Sequence, residues 1–444
     1  MSTSTIHPGP LHNISRWTFG QKILFRFFFI YLMLEMLGTY FSLIPVLHFI
    51  GEFYFQFIDR IVILANGHIF HLRKVLVYPA GSSDTSWGWA QQWLNVLLAF
   101  SGCLIWSLIE RKRNNYTRLN YWLCLLTRYY IASVGFSYGI IKLFALQMPY
   151  PNQSQLATAL GDFLPMRLNW MFLGYSKTYQ IFTGLMETLI GVLLLYRKTA
   201  TLGAFLAAFV FINVMMLNLS YDIPVKIFSM NVVVASLYLL FNEYNRILQF
   251  FVLDKTADTC FIYHFAYKKK WMRVTRVILK LAFAVQIIVM PFRNAWASHG
   301  RLVNEPETKP IKSGIYDVVR FIKNKDTIPP LTTDSLRWQD VIFEKKGLGS
   351  IRTADTIFRQ RYKRGYFTYT TDTIAHIINF KKWQTDSAMY DGVILSMHYI
   401  LPDSNTIELS GKKNDDSLYV FLKRSKRHFQ LAENQFHWLS EYNR

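Results

Sequence analysis

Over its first two thirds the chain alternates long apolar runs with short polar connections, and then its character changes. Apolar stretches near the length of about 20 residues that a bilayer-crossing helix needs lie at roughly 23–47, 88–109, 120–147, 176–196, 200–219, 226–243 and 277–296. The pattern predicts about seven transmembrane helices. The first run lacks a small-residue cleavage site and is too long for a signal-peptide core, so it is read as a span. Between the first two runs, Phe53 to Leu76 mixes aromatics with Asp59, Arg60, Arg73 and Lys74, the pattern of an outer amphipathic segment lying at headgroup level.

After residue 296 long apolar runs stop and charge density rises. Pro306, Pro310 and the polar stretch Arg301 to Lys312 read as a linker. Short β-rich segments follow at 315–321, 338–343, 356–362, 366–369, 374–380, 393–401, 406–409 and 418–422, with turn signals at 403–405 and 413–416. Such spacing predicts an antiparallel all-β barrel or sandwich. The expected organisation is a two-span N-terminal region (1–119), a four-span bundle (120–243), a basic cytoplasmic loop and last span (244–296), a linker (297–312) and an extracytoplasmic β domain (313–444).

Composition sharpens this reading. Of 444 residues, 52% are hydrophobic and only 17% charged, which excludes a disordered chain, yet the formal net charge is +21. The basic residues are not spread evenly. Connections assigned to the cytoplasmic side carry sixteen of them, including Arg111, Lys112, Arg113, Arg246 and the Lys268-Lys269-Lys270 run, whereas the opposite connections carry six. By the positive-inside rule the N-terminus is cytoplasmic, and an odd number of spans puts the β domain outside, in the manner of a multi-pass protein of a bacterial inner membrane. The charge is therefore mostly a topology signal. No nucleic-acid partner is needed to explain it, and the expected surroundings are a lipid bilayer.

Candidate chemistry lies inside the apolar runs, where each ionisable group needs a partner, water or a function. Arg128 and Lys142 fall on the third run, Glu187 on the fourth and Glu35 on the first. Arg128, Gly135 and Lys142 recur every seven residues on one helix face, and Thr183, Gly184, Glu187 and Gly191 make a comparable small and polar stripe. Small residues let helices approach closely. Counting from the cytoplasmic ends of their runs puts Arg128 and Glu187 at matching depth, which predicts an Arg128–Glu187 ion pair. Near the outer surface Lys142, Asp222, Lys226 and Asp162 are grouped as an expected polar pocket for a headgroup, quinone or anionic ligand. The loop 147–175, with Asn218 to Pro224, is expected to close over it as a lid.

Other chemistries are disfavoured. Cys103, Cys124 and Cys260 all fall in or near the cytoplasmic side, so an outward-facing thiol–disulfide activity has no cysteine pair. No His lies in the third to sixth runs, which argues against a buried bis-His haem. His68 and His71 are three apart without an acidic or Cys neighbour at ligand spacing, so no metal is expected.

The stretch RYYIASVGFSYGIIKLF from Arg128 to Phe144, with Glu187, Gly191 and the segment LLLYRKTATLGAFLAA that follows, resembles the DoxX family of membrane proteins. That resemblance covers about residues 120–243. It implies a four-helix membrane bundle with Arg128, Gly135, Lys142, Glu187 and Gly191 as the pattern residues. It also implies an accessory role, with a quinone and partner subunits, in redox assemblies such as thiosulphate:quinone oxidoreductases. A fainter similarity, of architecture, is to transmembrane domains related to the vitamin K-dependent carboxylases, which would imply a desolvated lysine base, Lys142 or Lys226. The β segments, from Gly314-Ile315-Tyr316 to Phe436-His437-Trp438, are faintly similar to lipocalin-like barrels, implying a cavity for a lipid-like ligand. A non-catalytic role is favoured, with a carboxylase-like membrane enzyme as the alternative.

Overall fold

A computed structural model describes residues 16–256, 269–303, 310–330, 337–383, 392–413, 415–433, 436–439 and 441. The helices, in chain order, are α1 (Phe19–Leu43), α2 (His48–Ala65), α3 (Ser86–Ile109), α4 (Thr117–Leu143), α5 (Gln153–Leu156), α6 (Pro165–Tyr175), α7 (Lys177–Leu195), α8 (Ala200–Ser220), α9 (Lys226–Asn242), α10 (Tyr244–Phe251), α11 (Lys270–Val303) and α12 (Gln430–Glu433). Two units result. One comprises residues 1–147 and 178–296, and the other 148–177 and 297–444.

The first unit is a helical bundle. Its helices start where the chain offers caps: Thr18 and Gln21 form a capping box on α1, and the Thr85 side chain accepts from the Gly88 N–H on α3. Among the described residues five helices, α1, α3, α7, α8 and α11, are long and apolar enough to cross a membrane. A sixth such span results if α9 and α10, bent by 73° at their junction, are taken together. Their outward surfaces carry large apolar side chains, including Phe100, Ile105 and Leu108 of α3, Phe182 and Leu185 of α7 and Phe209 of α8. Surfaces of this kind need an apolar surrounding.

Helix α4 is 27 residues long but falls outside that apolar set, and the reason is its place in the bundle. Ile131, Ala132, Ser133, Val134, Gly135 and Phe136 are consecutive buried residues, so the middle of the helix is enclosed by protein, and its Arg128, Ser133 and Lys142 meet protein partners. Helix α9 is buried likewise, through Ser229, Asn231, Val232, Val233, Ala235 and Ser236. Within this unit α1 packs along α3, and α8 along α9. Residues 53–65 belong to α2, whose Ile58, Val62 and Ala65 pack with Leu76, Ala90 and Leu94. Helix α11 continues past Pro291 through Val303, so the expected linker at 297–312 begins as helix. Residues 304–309 lie outside the described residues.

Among the described residues the second unit holds ten strands: β1 (Gly314–Lys323), β2 (Asp326–Thr327), β3 (Asp340–Phe343), β4 (Leu348–Ile351), β5 (Arg359–Arg361), β6 (Arg364–Asp372), β7 (Ile377–Lys382), β8 (Val393–Asp403), β9 (Thr406–Lys413) and β10 (Asp416–Arg424). Eight of them, in the order β10-β9-β8-β7-β6-β4-β3-β1, pair antiparallel and close through β1 and β10 into a barrel. β2 and β5 are short additions on β1 and β6. A bulge between Val318 and Arg320 lets Val319 turn outward while Tyr316, Val318 and Phe321 all stay in the core. The interior is filled: Trp338, Phe321, Phe343, Phe358, Phe367 and Phe380 are each at most 2% exposed and meet edge to face or tilted.

Of the loop 147–175, expected as a lid on the helices, all but Gln147 falls in the segment 148–177 that groups with this barrel. Ser154 donates from its backbone N–H and its hydroxyl to Glu344 Oε1, both at 2.8 Å, and its hydroxyl accepts from Ser350 at 2.8 Å. Phe163 packs on Tyr362 at 5.2 Å between ring centroids.

Candidate functional site

The principal site is built between α4 and α7. These helices run antiparallel with their backbones nearly touching: a Cβ on Gly135 would stand 2.6 Å from the Glu187 carbonyl oxygen, and one on Gly184 would stand 2.8 Å from the Gly139 carbonyl and from Lys142 Cβ. Only glycine fits at these crossings. Side chains on a helix lean toward its N-terminus. In an antiparallel pair the leans oppose, so Lys142 reaches down α4 while Glu187 reaches up α7, and the two meet as a buried ion pair. Lys142 is 7% exposed and Glu187 2%.

The pair is not closed. Glu187 Oε2 is buried without a hydrogen-bond partner, and the neighbouring Thr188 hydroxyl is in the same condition. A buried acceptor left unmade costs about 1–3 kcal/mol, more when charged, so this oxygen can take a further donor.

Arg128 does not pair with Glu187, which corrects the expectation from the sequence. Its guanidinium donates from Nε and Nη2 to the Leu194 carbonyl at 3.2 and 2.8 Å. Two facts explain this. The antiparallel register set by Gly139 opposite Gly184 brings Arg128 opposite the end of α7, and Leu194 is among the last carbonyls of that helix, which lack intrahelical donors. Distance from the ends of the apolar runs was the wrong ruler.

The expected outer pocket is also redistributed. Lys142 goes to Glu187. Lys226 bonds Asp222 at 2.6 Å and lies 3.7 Å from Asp84. Asp84 further accepts the backbone N–H groups of Lys226 and Ile227 at 2.7 and 3.0 Å, capping α9. Asp162 belongs to the second unit, where it pairs with Lys363 at 2.6 Å. His68 and His71 are exposed, and the described residues contain no group of three or more His, Cys, Asp or Glu suited to a metal.

A second buried polar centre surrounds Glu35. Its Oε1 accepts from Asn95 Nδ2 and its Oε2 from Asn231 Nδ2, both at 2.8 Å. Asn231 Oδ1 accepts from Tyr31 at 2.6 Å, and Gln92 donates to Tyr31 at 2.7 Å and accepts from Asn231 at 3.0 Å. The sequence reading singled out Glu35 alone. Three amides and a tyrosine among apolar residues carry no signal unless their helices are known to meet.

Arg26 is likewise more than a flanking charge. It is 3% exposed, with bonds to Tyr116, Ser107 and the Glu110 carbonyl. Hydrogen bonds from Trp106 and Tyr116, then Arg113, hold the Glu110 carboxyl below the usual range.

Over 124 residues, 28% of its length, the chain is 32% identical to the uncharacterized protein YwoB of Bacillus subtilis (strain 168), and the match spans 79% of that protein. No family model matches the chain. No solved structure matches it.

Proposed function

The chain belongs to the family of Bacillus subtilis YwoB, and we propose, on its intramembrane charges, that it is a DoxX-like, seven-span inner-membrane protein acting as an accessory subunit of a quinone-linked redox assembly. In this reading the N-terminus is cytoplasmic, α4 and the bent α9–α10 pair are spans, and the barrel is extracytoplasmic. The observation that carries it is the unsatisfied Glu187 Oε2 beside Lys142 within an apolar bundle. A quinone fits such a site by its chemistry. Its carbonyl accepts from an ammonium, the hydroxyl of its reduced form donates to a carboxylate, and its apolar tail suits the surroundings. Lys142 would hold the oxidised headgroup and Glu187 Oε2 the reduced one.

The other two readings have less support. A lysine base needs a free amine, whereas Lys142 is engaged by Glu187 and Lys226 by Asp222. A lipid-binding barrel needs interior space, whereas this interior is filled by Trp338 and five phenylalanines.

The test is native mass spectrometry of the full chain, gently solubilised from its own membrane, with solvent extraction and quantification of quinone. The reading expects a co-purifying subunit and about one quinone per chain, with the quinone lost in Glu187→Gln and Lys142→Met. Wild-type protein that carries neither overturns it.

A further inference from the structure

The Glu35 centre has no role in the proposed function, and its composition calls for one. Glu35 on α1 makes no ion pair among the described residues, yet it sits in a bundle of apolar helices with Asn95 of α3 and Asn231 of α9, which are 3% and 6% exposed. A lone carboxylate in such surroundings is costly unless something neutralises it. Two amide N–H groups ease that cost without supplying charge.

We propose that Glu35, Asn95, Asn231, Gln92 and Tyr31 form a binding site for one monovalent alkali cation of the sodium class. A half-turn of each amide about its last bond exchanges its N–H₂ for its carbonyl oxygen at the same place, because the two ends are nearly isosteric. The turned oxygens of Asn95 and Asn231 then stand beside the two carboxylate oxygens, and that of Gln92 beside the Tyr31 hydroxyl, a cluster of hard oxygen ligands of the kind that suits alkali and alkaline-earth ions. Charge selects between them. One carboxylate among neutral donors gives a neutral complex with a monovalent ion, whereas a divalent ion would leave a net positive charge buried. The cation would tie α1, α3 and α9 together, helices distinct from the α4–α7 pair that carries Lys142 and Glu187.

The test uses full-length protein in detergent, at equal ionic strength in sodium, potassium or choline chloride. A ligand that binds only the folded state raises the melting temperature in proportion to its saturation. In sodium chloride the wild type is expected to melt on the order of 2 °C higher than in choline chloride. It is also expected to retain about one radiolabelled sodium ion per chain. Glu35→Gln, which keeps the shape and one carbonyl oxygen, should lose both effects and leave the quinone content unchanged, which separates this site from the proposed function. Asn231→Ala provides a second variant if Glu35→Gln does not fold. Equal melting temperatures in all three salts, or sodium binding that survives Glu35→Gln, overturn the proposal. A melting temperature that follows pH and ignores the cation also overturns it, since Glu35 then carries a proton instead.

Discussion

Lys142 and Glu187 come from different helices, forty-five positions apart, and meet as a buried pair in which only one carboxylate oxygen is bonded. Removing one member strands the other. Lys142→Met is therefore expected to destabilise the helical unit by about 3–5 kcal/mol, because an uncompensated charge stays buried. The double variant Lys142→Met/Glu187→Met should recover most of that loss, since a buried pair replaced by apolar groups of similar volume is often neutral. Thermal unfolding of the three variants in detergent checks this, and a double variant as unstable as the single one would show that the pair is not what is lost.

Much of the fold could be read from the chain. Each hydropathy run fell on a long helix, within a few residues of its ends for all but α11, because helices that leave large side chains outside the bundle are apolar around their whole circumference, and alternation located most strands because a barrel wall has one wet and one dry face. Strand β4 escaped: Leu348-Gly349-Ser350-Ile351 is too short and too rich in small residues to declare itself. The site was half legible. Lys142 and Glu187 stood out as charges in apolar runs, but their partnership depends on helix register, which the Gly139 and Gly184 contact sets in three dimensions. Asn95 and Asn231 are invisible for the same reason.

Glycine at that crossing should be irreplaceable. In Gly184→Leu the added atoms begin 2.8 Å from the Gly139 carbonyl and Lys142 Cβ, so α4 and α7 must separate. A loss of about 1–3 kcal/mol is expected from overpacking, with more if the ion pair opens. Hydrogen exchange should rise in peptides of both helices, and exchange confined to α7 would contradict the shared contact.

The barrel has a buried pair of its own. Arg364 donates to Ser350 Oγ at 2.9 Å and to Asp340 at 2.5 Å, and Arg427 also reaches Asp340 at 3.0 Å from a more exposed position. Arg364→Met leaves Asp340, which is 0% exposed, to Arg427 alone. The expected cost is about 3 kcal/mol, at the lower end for a broken buried pair because one partner remains. Faster hydrogen exchange in β3, β4 and β6 is the readout, and an unchanged pattern would assign the stability of this wall to packing alone.

Acid should loosen the barrel at its turns. Backbone N–H groups of Ala375 and Ile374 hold the Asp372 carboxyl below its ordinary value, the Asn405 N–H does the same for Asp403, and the Lys323 ammonium does so for Asp416. A carboxylate with a depressed value in the folded state stabilises above its unfolded value and loses that contribution as pH falls through the folded one. The contribution of these three turns is therefore expected to be constant down to about pH 4 and to be lost below, within the ordinary aspartate range and under it. An acid-active protease should begin to cut residues 314–424 in that window, and Asp372→Ala should flatten the onset. Cutting that begins near neutral pH would exclude these carboxylates as the cause.

Double-mutant cycles distinguish the observed register of α4 and α7 from the one suggested by span depth. Residues that share an interaction couple, whereas independent ones add to within about 0.3–0.5 kcal/mol. Arg128 bonds the Leu194 carbonyl and Lys142 bonds Glu187. The cycle between Lys142→Met and Glu187→Gln is accordingly expected to show strong coupling, and the cycle between Arg128→Gln and Glu187→Gln close to none. Arg128→Gln alone should cost about 1–3 kcal/mol, the penalty of leaving a buried carbonyl without a charged donor. Coupling concentrated on Arg128 would mean that α7 is displaced along α4 by about four turns, which would also separate Gly184 from Gly139 and remove the reason for glycine at either position.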